Sequence, residues 1–92
     1  MVTYLDLINA MVRRETAILG REKVGKIVAK AGLSIGEDGK VAVPKGMEKQ
    51  KLEELARSFY EECGDITLIG CRILVNRLAR EGNLKLPDIL KF

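Results

Sequence analysis

The sequence predicts a mainly α fold: a small bundle of four helices with a short β-hairpin between the second and third. Three observations carry this. Apolar residues recur at helical spacing in four separate stretches. Glycines fall between those stretches, where helices commonly end. One segment breaks the helical period. There Leu33-Ser34-Ile35 and Lys40-Val41-Ala42-Val43 flank Gly36-Glu37-Asp38-Gly39, the pattern of two strands around an Asp-Gly turn.

Each element has its own signal. Thr3 opens helix one with Asp6 three residues on, a loose capping box. Tyr4, Leu5, Leu7, Ile8, Met11, Val12, Ile18 and Leu19 then gather on one face. Beyond Gly20 a second stripe runs through Val24, Ile27, Val28 and Ala31. On one straight helix it would face nearly opposite to the first, so a break near Gly20 is the simpler reading. Gly32 ends helix two, and Pro44-Lys45-Gly46 closes the hairpin. Helix three runs from Met47 to Cys63 with Leu52, Leu55, Ala56, Phe59 and Cys63 on one face and Glu53 and Arg57 paired outside. Gly64 ends it and Asp65 caps helix four, which runs from Ile66 to about Glu81. Pro87 begins a last turn that tucks Ile89, Leu90 and Phe92 against the bundle.

Composition bounds the function. The 92 residues make one domain, 1–92, near the small end of the domain range. Such a chain buries only about 60–65% of its unfolded surface, so a second copy or a partner is a natural source of further burial. Aromatics are scarce, at 4% with no Trp, so the core is aliphatic. The net charge of +3 is a mild excess, below that of dedicated nucleic-acid binders. Two cysteines and no histidine leave no zinc-site pattern and point to a reduced, cytoplasmic protein. No signal-peptide pattern is present, and the apolar run Ile66–Val75 is too short to span a bilayer. No cofactor motif is present either: the glycines match neither the Walker nor the dinucleotide pattern, and no catalytic constellation is visible.

Four groups of residues stand out. Glu15 sits in the middle of the apolar face of helix one, where a carboxylate must be paired or protonated. The expected partner is an arginine of helix four, Arg72 or Arg77, in a buried ion pair. Arg72, Asn76, Arg77 and Arg80 make helix four rich in polar groups suited to carboxylate or phosphate. Lys23, Lys26 and Lys30 form a basic stripe on helix two, just after Arg13, Arg14 and Arg21, and are the candidate anion or nucleic-acid contact. No interleaved aromatics accompany them, and Glu37-Asp38 at the hairpin tip would repel a phosphate backbone. Cys63 and Cys71 read as core residues and not as a redox pair, since about 9 Å of helix separates Cys71 from the joint.

Helix four also has two apolar sectors. Leu68, Cys71, Leu74, Val75, Leu78 and Ala79 make a broad one for the domain's own core. Ile66, Ile69 and Ile73 make a second, and a surface helix needs only one. The function these features favour is a non-enzymatic protein-interaction or self-association module, most simply a homodimer or a regulatory or accessory subunit, with Ile66, Ile69 and Ile73 at the interface. The competing reading is a nucleic-acid-binding protein using the basic face of helix two. A small ligand-binder built around Glu15 and an arginine comes third.

Overall fold

The structure is a computed structural model and describes residues Met1–Phe92. Four helices form in order: α1 (Tyr4–Leu19), α2 (Arg21–Lys30), α3 (Glu48–Cys63) and α4 (Asp65–Gly82), followed by a single 3-10 turn, Asp88–Leu90. The start of α1 follows from its capping box. Thr3 Oγ1 accepts from the Asp6 amide at 3.2 Å, and the Asp6 carboxylate accepts from the Thr3 amide at 2.9 Å. Gly20 separates α1 from α2 at φ 89°, a left-handed conformation that favours glycine, so the two stripes do belong to two helices.

The exits of α2 and α4 share one geometry. After α2, the Gly32 amide donates to the Ala29 carbonyl and the Leu33 amide to the Val28 carbonyl. After α4, Asn83 takes φ 51°, its amide donates to Arg80 O, and the Leu84 amide donates to Ala79 O. Both are Schellman closures that satisfy carbonyls which would otherwise be orphaned. Gly64 does the corresponding work between α3 and α4 at φ 83°. It is Gly64, not Asp65, that stands at the N-cap of α4.

Helices α1 and α3 are the hub. Each packs on the other and on both α2 and α4, while α2 and α4 do not meet. The molecule measures 32 × 28 × 19 Å, so its short dimension is two helix diameters. The core between the layers is aliphatic apart from Phe59: Leu7, Ile8, Met11 and Val12 from α1, Val24, Ile27 and Val28 from α2, Leu52 and Leu55 from α3, Leu68, Cys71, Val75 and Ala79 from α4. Ser58 is buried with them, its hydroxyl donating to Ile27 O at 2.8 Å, which ties α3 to α2. No helix is long and apolar enough to cross a membrane.

Two further expectations are corrected. The Leu33–Val43 segment is not a β-hairpin: it contains no strand, and a lone antiparallel bridge pairs Ile35 with Val41. The chain does reverse at Gly36–Gly39, with Gly36 N donating to Lys40 O at 2.8 Å. The outward-facing backbone groups of the next residue, Val41, are satisfied by α1. Asn9 Oδ1 accepts from Val41 N at 2.7 Å, and Asn9 Nδ2 donates to Val41 O at 3.4 Å. Val41 and Leu33 are buried, so the segment serves as a lid on the core. The second correction concerns the tail. Leu90 is fully buried and Ile89 partly so, but Phe92 is 80% exposed and does not join the bundle.

Candidate functional site

Helices α1 and α4 run antiparallel and close. Near one end Gly82 lies against Val2, where a built Cβ would come 2.5 Å from the Val2 carbonyl oxygen. Toward the middle, Gly70 lies under the Arg14 guanidinium, and a Cβ there would fall inside it. At Gly82 the backbone itself needs the absent side chain, whereas at Gly70 the space is taken by the Arg14 side chain.

Glu15 lies in this contact, 1% exposed. Its partner is its own neighbour Arg14, which ion-pairs with Oε2, and the Cys71 thiol lies 3.8 Å from the same oxygen. Arg72 and Arg77 are elsewhere. Arg72 Nε donates to the Ile89 carbonyl at 2.9 Å, and Asn76 Nδ2 donates to the Leu90 carbonyl at 2.8 Å, so these two pin the tail to α4. Arg77 is exposed and makes no ion pair within the chain. The expected Glu15 pairing is therefore replaced by one within α1. Adjacent helical residues point about 100° apart, but the Arg14 stem is long enough to return over Gly70 to the buried carboxylate.

Burial, and then the negative charge of Glu15, pushes the Cys71 thiol up to about 12, so it stays protonated at neutral pH. A closed carboxylate, a protonated thiol and a guanidinium capping both make a buried polar tie between α1 and α4. The Glu15 oxygens are out of reach of a substrate while that contact is closed.

The basic stripe of α2 is exposed but not left alone. Lys26 lies 3.9 Å from Glu22, and Lys30 ion-pairs with Glu62 of α3. The hydrogen bond from Lys30 draws the Glu62 carboxyl below its ordinary value, and the same bond holds Lys30 above its own. Lys23 has no ion-pair partner. No three metal-ligating side chains are grouped anywhere in the chain.

The isoleucines of α4 lie outside the core. Ile66 is 86% exposed, Ile73 61% and Ile69 45%. The tail that was one candidate to cover them lies instead on α3 and on the Arg72/Asn76 side of α4. Sequence reading missed one member of the patch. Ile18, placed in the core stripe of α1, is 60% exposed. It sits one turn beyond Arg14, and Ile66 one turn before Gly70, so antiparallel packing brings both to one end of the α1–α4 pair. No family model, curated protein or solved structure matches the chain.

Proposed function

We propose that this protein is a self-association module in which two copies pair through the outer face of α4, aligned antiparallel about a two-fold axis. The observation that carries the reading is the exposure of Ile66, Ile69 and Ile73, one continuous apolar ridge with nothing from the same chain over it. Ridges of this kind are uncommon on proteins that work alone.

The charges around the ridge favour a second copy as its occupant. Asp65 lies one turn before Ile69, Arg77 one turn after Ile73, and neither makes an ion pair within the chain. When Ile69 of one copy opposes Ile73 of the other, antiparallel helices set Asp65 opposite Arg77 at both ends of the contact. A parallel pairing would oppose Asp65 to Asp65 and Arg77 to Arg77. The surface is therefore complementary to itself in one orientation, with an aliphatic centre and a charged rim.

Magnitudes set the strength. Full burial of an isoleucine contributes about 1.5–3 kcal/mol, and association costs about 4–15 kcal/mol. Three partly exposed isoleucines per copy give a gain of the same order as the cost. A net gain of a few kcal/mol gives a weak dimer, with a dissociation constant of about millimolar. Asp65→Arg and Arg77→Asp should each weaken the dimer, and the double variant should recover it. A dimer indifferent to all three would remove the antiparallel register. A chain that stays monomeric at high concentration would remove the reading itself. The basic face of α2 supports nucleic-acid binding less well, because Glu22 and Glu62 stand among its lysines.

A further inference from the structure

A cleft of about 530 Å³ lies between α1, the start of α2 and the Ile35–Lys40 reversal. That volume falls in the range of about 300–1,000 Å³ typical of small-molecule sites. It lies away from the α4 ridge and has no part in the proposed dimer.

Three cations from three different elements line it: Arg13 of α1, Arg21 of α2 and Lys40 of the reversal. Arg13 and Lys40 make no side-chain bond or ion pair within the chain. Arg21 spends one N–H on the Gly36 carbonyl at 2.7 Å, which fixes its position and leaves its other donors free. The single carboxylate in the lining, Asp38, is turned to its own loop, with Oδ1 accepting from the Lys40 amide at 3.0 Å. The end of α1 and the start of α2 both border the cleft. Their opposite dipole ends cancel to a first approximation, so the side chains decide the sign of the field. Three cations against one engaged carboxylate leave it positive.

The rest of the lining adds a second requirement. Ala17 and Ile35 give the cleft an apolar wall. Thr16 donates its hydroxyl proton to Val12 O at 2.7 Å, so toward a ligand it offers an oxygen that accepts. Two forked guanidiniums and one ammonium suit the oxygens of a phosphate, which arginine binds by paired N–H donors and lysine as a point charge.

We infer that this cleft binds a small phosphomonoester, its phosphate held by Arg13, Arg21 and Lys40 and its organic part laid against Ala17 and Ile35. Chain folding alone does not call for such an arrangement, since like charges brought to one cavity without partners repel one another.

The test is an amide-resolved NMR titration of the full chain with phenyl phosphate and, separately, with inorganic phosphate, at constant ionic strength. The expected result is a saturable shift confined to the amides of Gly20–Lys23 and Gly36–Lys40, with phenyl phosphate binding more tightly than inorganic phosphate. Arg13→Gln and Lys40→Gln touch no bond of the fold. Each should weaken binding about tenfold, the loss of one charge-assisted contact. Three results would overturn the inference: no saturable shift, a shift that persists with the same affinity in the Arg13→Gln/Lys40→Gln double variant, or equal affinity for the two probes, which would remove the organic part of the ligand.

Discussion

Alanine at Gly70 sets two opposing effects against each other. The residue is interior to α4, where alanine is favoured over glycine by about 1 kcal/mol. A Cβ at this site would fall inside the Arg14 guanidinium, so Arg14 must move, and with it the partner of the buried Glu15 carboxylate. Breaking a buried ion pair from one side costs about 3–5 kcal/mol. The Arg14 side chain is 36% exposed and partly screened, so the lower figure of about 2–4 kcal/mol applies here. The cost exceeds the gain, and Gly70→Ala should destabilise by about 1–3 kcal/mol. For a domain of this size that is a fall in Tm of about 4–8 °C for each kcal/mol. In an Arg14→Ala background the obstruction is gone and the same substitution should stabilise by up to about 1 kcal/mol. The assay is urea unfolding of all four variants at one fixed protein concentration, read as a double-mutant cycle. The reasoning fails if Gly70→Ala stabilises the wild-type protein, because Arg14 would then be shown to leave Glu15 without cost.

Three further predictions follow from the same contacts. Gly25→Ala should raise stability by about 0.8–1 kcal/mol in urea unfolding, since a Cβ on that α2 residue meets nothing within 4 Å, whereas Gly82→Ala should lower it, because its Cβ would meet the Val2 backbone. The Lys30–Glu62 bond should make stability depend on pH at both extremes. Glu62 sits below its ordinary 4.5, so its contribution is present above that value and lost as pH falls through the lowered one. Lys30 sits above its ordinary 10.5, so its contribution is present below that value and lost as pH rises through the raised one. Lys30→Met should flatten both limbs in a pH series of urea midpoints. Cys71, with its thiol pushed up to about 12, should resist a thiol reagent in the folded protein and react only on unfolding, while the partly exposed Cys63 reacts first.

Much of this was legible in the sequence because it depends on local chemistry. The Thr3 capping box, the break at Gly20, the Glu53–Arg57 pair and the core face of α3 each follow from residue type and spacing, and each is present, as is the α4 core face except at Leu74, which stays outside the core. Glu15 was marked for burial by its apolar neighbours alone. Its partner was not legible, because the choice between Arg14 and an α4 arginine depends on the space that Gly70 leaves between two helices. The hairpin misled for a related reason. An Asp-Gly turn flanked by apolar residues carries no sign that Asn9, 32 residues before Val41, will bond the Val41 backbone and hold the segment to α1 in place of a second strand pair. The cleft joins Arg13, Arg21 and Lys40 from three elements, and no periodicity within one segment announces it. Ile18 was misplaced because the period puts it within the α1 stripe, whereas it stands in the last turn of α1, at the end of the α1–α4 pair.

The most direct test of the account is the mass in solution, by sedimentation equilibrium over a wide concentration range, of the wild type and of Ile73→Glu. The exposed α4 ridge predicts that the wild type rises from 10.2 kDa toward twice that mass with a midpoint at about millimolar concentration, and that the variant stays at 10.2 kDa with an unchanged helical fold. A wild type that remains at 10.2 kDa throughout, or a variant that still doubles its mass, would contradict pairing through α4.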